Sequence, residues 1–137
     1  MNTTYFLNTV AGNLFLSDTS EPLPTEYHLG LSTTAPSADG TGVTEPAATA
    51  GYTRVEITDL DVPDDGEVIS TEDISFPEST DDWGTVTHFV IFDSATGGNL
   101  LIYGPLQKAR RLDEGSVLTV RAGDLHLQVF DGVAGIT

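Results

Sequence analysis

Apolar and polar residues alternate with a period of two along most of this chain, a spacing that predicts strands rather than helices. Tyr27, Leu29 and Leu31 share one face over residues 27–32. Over residues 52–58, Val55 and Ile57 point one way, and Arg54 and Glu56 the other. Two shorter strands are expected at Val68-Ile69 and at residues 74–76, the second closed by Pro77, which cannot donate to a ladder. Residues 85–92 and 99–106 predict a hairpin around Gly97-Gly98-Asn99, and just before it stands the one tryptophan, Trp83. The first strand of that hairpin breaks the pattern: Phe89 and Ile91 lie on one face, and Val86, Val90 and Phe92 on the other. A strand apolar on both faces is central in a sandwich or lies under a partner chain. Residues 117–122 and 125–130 alternate cleanly around Gly123-Asp124, with Leu118, Val120, Leu125, Leu127 and Val129 inward and Thr119, Arg121, His126 and Gln128 outward. That pattern predicts a tight-turn hairpin.

Residues 5–16 are different. Leu7, Val10, Ala11, Leu14 and Phe15 fall at helical spacing, with Thr3 or Thr4 as the N-cap. The polar side of this helix lacks the basic residues of a membrane-active peptide, so it is expected to cover one end of the core. Residues 17–25, with Pro22 and Pro24, read as a linker. The expected organisation is a short N-terminal helix and linker over 1–26 and a β-sandwich domain over 27–137. The fold class is all-β: a single antiparallel β-sandwich or jelly-roll-like barrel with a short N-terminal helix. The long Thr-, Ser- and Gly-rich stretch 32–51 is expected to be functional or interfacial, as loops of this length usually are.

Charge narrows the field of partners. The 137 residues carry 21 acids against five bases, for a net charge of −16, and ten of the acids fall within residues 59–82. Nucleic-acid binding is disfavoured, because phosphate contacts need a basic stripe. The chain has no cysteine, which excludes a disulfide framework and thiolate metal sites. Neither a membrane-spanning run nor a positively charged leader is present, and a soluble chain that keeps its own N-terminus is expected. An acid-rich, lysine-poor composition fits adaptation to high salt as well as an ordinary acidic protein.

Candidate chemistry is sparse. His28, His88 and His126 each sit in a strand pattern without a serine or acid at diagnostic spacing, and structural roles are expected for all three. Among so many acids, paired carboxylates carry no specificity for glycoside chemistry. No enzyme is expected and no catalytic or cofactor-binding residue is assigned. The best metal candidate is a calcium loop through Asp61, Asp65 and Glu72, with Gly66 at the turn position, although Pro63 stands where a ligand oxygen belongs. Three of the five bases, Lys108, Arg110 and Arg111, fall together after the central hairpin, beside an acidic surface they could dock on a neighbouring subunit or within their own chain. With Trp83, Val86, His88 and Phe92 they form the expected subunit interface. Thr41 and Tyr52, on or beside the long loop, are the expected receptor contacts.

These residues also carry a resemblance. The blocks Leu29-Gly30-Leu31-Ser32-Thr33-Thr34-Ala35-Pro36, Asp39-Gly40-Thr41-Gly42-Val43-Thr44-Glu45-Pro46 and Gly51-Tyr52-x-Arg54-Val55 resemble small tailed-phage virion proteins of the tail-fibre-like family. Ile74-Ser75-Phe76-Pro77, the strand from Trp83 to Phe92, Gly97-Gly98-Asn99-Leu100-Leu101 and Ala122-Gly123-Asp124-Leu125 follow in the same order, so the likeness spans about residues 27–130. The resemblance implies an all-β, non-enzymatic structural protein on the surface of a virus particle, as a capsid decoration or a tail or head appendage. It implies a symmetric homo-oligomer, expected to be a trimer, in contact with other virion proteins. The alternative is a module binding a host glycan or surface-layer protein. The acid-filled stretch 59–73 departs from the family pattern and, with scarce lysine, points to a salt-loving host.

Overall fold

A computed structural model of the chain describes residues 1–17, 20–64, 66–128 and 134–136. It opens with helix α1 (Thr4–Phe15), capped by Thr3, whose Oγ1 accepts the Phe6 N–H at 3.2 Å and donates to the Leu100 carbonyl at 2.7 Å. One hydroxyl thereby satisfies an orphan amide of the first turn and ties the helix to the sheet. Phe6 and Val10 join the main core, whereas Leu14, Phe15 and Leu16 are largely exposed. Of the apolar stripe read from the sequence only Val10 joins the core, and Phe6 and Tyr5, outside that stripe, pack there with it.

The strands follow as β1 (His28–Ser32), β2 (Val55–Glu56), β3 (Leu60–Asp64), β4 (Glu67–Ser70), β5 (Ile74–Ser75), β6 (Gly84–Phe92), β7 (Leu100–Leu112), β8 (Thr119–Val120), β9 (Leu125–Gln128) and β10 (Ala134–Ile136). Eight of them form one sheet in the order β2-β1-β6-β7-β10-β9-β4-β3, and β5 pairs with β8 in a separate ribbon. Pairing is antiparallel except where β10 runs parallel to β7. The all-β class with a short N-terminal helix is what the alternation predicts. Side chains from both ends of the long sheet and from the ribbon meet in one core, including Leu29, Leu31, Ile74, Phe89, Leu101, Val120 and Leu125.

The central pair β6–β7 contains the irregularity that shapes the molecule. Between Val86 and His88 the partner on β7 jumps from Arg110 to Pro105, so residues 106–109 have no partner in register on β6. Within that gap Leu106 pairs with Ile136 of β10. A bulge of this kind bends the strand and resets which face each side chain takes. Val86 thus points into the same core as Phe89, three residues on, contrary to the strict alternation expected from sequence. Both faces of β6 are buried by the chain itself: Val90 and Phe92 form a second cluster with Leu100, Tyr103 and Val43.

The expected hairpin over residues 117–130 is not formed. The turn at Gly123 exists (φ +84°), but β8 pairs with β5, and β9 pairs with β4 and β10. Hydrogen bonds direct the chain this way: the Gly123 N–H donates to the Ser70 carbonyl at 2.7 Å and the Ala122 N–H to Asp73 Oδ1 at 2.8 Å. The turn is a corner between two sheets. Leu118, Val120, Leu125 and Leu127 are buried as alternation predicts, while Val129 lies outside the described residues.

Candidate interaction surfaces

Residues 51–57 place two side chains, Tyr52 and Arg54, around the partly buried carboxylate of Glu45. Gly51 takes a left-handed conformation (φ +85°), and beyond it Tyr52 turns into the core, edge-on to Trp83 with ring centroids 5.3 Å apart. The Trp83 indole N–H donates to the Ala50 carbonyl at 2.8 Å. The Tyr52 hydroxyl accepts the Leu31 N–H at 3.0 Å and donates to Glu45 Oε1 at 2.6 Å. Arg54 grips the same carboxylate with two bonds of 2.9 and 2.8 Å, donates to the Ser94 and Gly97 carbonyls, and lies 3.6 Å over the Phe92 ring. Burial pushes the Tyr52 phenol well up, reinforced by the Glu45 hydrogen bond and charge. Burial alone would raise the Glu45 carboxyl too, but the hydrogen bonds from Arg54 and Tyr52 and the Arg54 charge outweigh it and hold it low. This network clamps the long loop onto the sheet.

The loop is accordingly ordered. Thr33 N–H reaches the Thr44 carbonyl at 2.9 Å, Thr44 N–H reaches Ser32 Oγ at 3.0 Å, and the Ala38 carbonyl accepts the Thr4 N–H at the start of α1. Its tip, residues 38–42, is exposed, with Thr41 bonded through its amide and hydroxyl to Asp39 Oδ1. Of the two expected receptor contacts, Thr41 is on the surface and Tyr52 is buried beneath it.

The expected interface residues separate in the same way. Trp83, Val86 and Phe92 are buried within the chain. His88 is half-buried, its ring bonded to Thr87 Oγ1 at 2.8 Å, and partial burial lowers its pKa. The bases lie on exposed positions of β7, where alternation sends Arg111 away from its neighbours to pair with Asp113 at 3.0 Å. Lys108 and Arg110 instead line a groove of about 510 Å³. Arg121, which alternation gave only as an outward strand residue, joins them in the lining beside the acid Asp124, over a floor that includes Leu106, Leu118 and Ile136. Among the described residues these three bases make no ion pair. Only the departure of β8 towards β5 and the bulge of β7 bring Arg121 opposite Lys108 and Arg110, and a linear reading of the chain carries no sign of that.

Of the calcium candidates, Asp61 is exposed on β3, where its Oδ1 accepts the Val62 N–H at 2.8 Å, and Glu72 is exposed in the bend after β4. Asp65 lies outside the described residues. The one cluster of three metal-ligating side chains among the described residues is elsewhere, at Glu26, His28 and Glu56. Among the described residues no helix is long and apolar enough to cross a membrane.

A search of curated proteins finds no match to the chain. The family model described as podophage GP4 fiber I protein gp80 matches residues 2–128, from the strand-tethered start of α1 through the loop, the aromatic cluster and the basic groove. With nearly its whole length matched, the chain belongs to this family of phage fibre proteins and is a structural component of the virion.

Proposed function

We propose that the protein is a non-enzymatic fibre subunit that works as a ring of identical copies, each seating its Lys108–Arg110–Arg121 groove on an acidic face of the next. The observation that carries this reading is the placement of three of the five bases, without ion pairs among the described residues, in one groove of a chain of charge −16. Subunits this acidic repel one another unless positive charge stands at the contact. A groove meeting a different surface of its neighbour is a heterologous contact, which closes into a ring when the rotation between neighbours closes and runs on as an open filament when it does not. A two-fold pair is isologous, so the smallest such ring is a trimer. The exposed Leu14-Phe15-Leu16 end of α1 is a second surface, suited to the other virion proteins with which a fibre subunit associates.

Lys108 is the only lysine, which makes a direct test available. Carbodiimide joins an amine to a carboxylate in contact with it. The expected product is a covalent oligomer whose linked peptides join Lys108 to an Asp or Glu of a neighbour. Oligomers linked only through the N-terminal amine, or no covalent oligomer at all, would count against the groove as the contact. Host recognition is the second reading, supported by the exposed Thr41 tip of a loop held rigid from below. Loss of binding to host envelopes on Thr41→Lys, with assembly intact, is the result it expects.

A further inference from the structure

We propose that Glu26, His28 and Glu56 bind a divalent transition-metal ion of the zinc class at the edge of the sheet. The backbone assembles the three side chains. Glu26 and His28 are two residues apart in extended chain and share a face, and Glu56 of β2 is the register partner of His28 on β1. Their ligand atoms all lie within 4.8 Å of one another. His28 Nε2 is 3.2 Å from Glu26 Oε1 and 3.8 Å from Glu56 Oε2. Ligands about 2.1 Å from a tetrahedral zinc ion stand about 3.4 Å apart, between those two separations. Modest rotation of the two carboxylates therefore completes the geometry.

The surroundings favour a cation over a simple ion pair. The His28 ring is buried, and its Nε2 faces two carboxylates that are each about half exposed. One ring proton can satisfy one carboxylate; it is within bonding distance of Glu26, and Glu56 makes no hydrogen bond among the described residues. Two carboxylates are thus held side by side on a chain of charge −16, with one donor between them. A divalent ion neutralises both and uses the imidazole nitrogen as a third ligand. Calcium and magnesium, which take oxygen ligands, fit this donor set poorly. Three protein ligands leave a position for water or for a group from a neighbouring molecule.

The test is titration of the chelator-treated full chain with Zn²⁺ by calorimetry, with Co²⁺ absorption as the spectroscopic readout and Ca²⁺ as the comparator. The expected result is one saturable site that prefers Zn²⁺ over Ca²⁺, a shift of one of the three histidine ring signals in NMR, and at least a tenfold loss of affinity in Glu56→Gln and Glu26→Gln. Both carboxylates are exposed enough for those variants to fold normally, so they decide the matter even if His28→Gln does not fold. Weak multi-site binding unchanged in Glu26→Gln and Glu56→Gln, or no saturable binding, overturns the proposal.

Discussion

At the scale of single residues, the polar network under the long loop determines which substitutions the chain tolerates. A methyl group at Gly30 would lie 2.6 Å from the Tyr52 hydroxyl and 2.9 Å from Glu45 Oε1, so β1 passes the network only because that position has no side chain. Gly30→Ala is expected to cost about 1–3 kcal/mol by overpacking. In a Tyr52→Phe background the cost should fall, since the hydroxyl it meets is gone; chemical denaturation of the double-mutant cycle reads the difference, and strict additivity would refute the contact. Glu45 supplies a pH dependence. Its pKa is held below the unfolded value, so its contribution is complete above the ordinary glutamate pKa of about 4.3 and is lost as pH falls through the lower folded value. Removing it leaves Arg54 buried without its counter-ion, and Glu45→Gln is expected to lose about 3 kcal/mol at neutral pH and little at acid pH. Thermal melts of both proteins across that range test this; parallel curves would contradict it. The sequence showed Tyr52 as a strand residue beside the loop. It did not show which way the ring turns, because that depends on Gly51 and on the aromatic partners Phe76 and Trp83 brought from elsewhere in the chain.

Elements tell a similar story. Alternation located β1, β6 and the first half of β7 closely, because strands packed on a core must keep the period of two. It failed where the chain leaves one sheet for another. Residues 117–128 alternate as a hairpin would, yet the hydrogen bonds from Ala122 and Gly123 to Asp73 and Ser70 make a corner, and inward residues remain inward either way. Burial was legible there and pairing was not, since both arrangements bury the same side chains. The bulge in β7 was equally hidden: residue 106 read as the end of the hairpin and 107–109 as chain beyond it, yet 106–109 are the stretch that bends the strand across to β10. At α1 the exposed end leads to a separable prediction. Leu14→Ser with Phe15→Ser should change the stability of the isolated chain by no more than about 0.5 kcal/mol per site, as surface changes do. It should weaken association with other virion proteins. Unfolding of the double variant would show that this end packs against its own chain.

For the whole molecule, charge dominates. A net charge of −16 on 137 residues opposes compaction, and salt relieves it by shortening the screening length to about 3 Å at 1 M. The melting temperature is expected to climb steadily from low to molar salt, and indifference to salt would argue against a high-salt origin. The same excess of acid gives the basic groove its significance. A sequence with five bases spends one inside the loop clamp and one on Asp113, and folding gathers the other three around a single depression. Two of those three were visible as a cluster in the sequence; the third came from a strand whose pairing only the fold decides. The groove's proposed role is to hold copies of the chain together. Sedimentation equilibrium of the wild type beside Arg110→Glu/Arg121→Glu tests it most directly. The expected result is a trimer for the wild type and a folded monomer for the variant. A wild type that stays monomeric, or a variant that assembles as the wild type does, would contradict it.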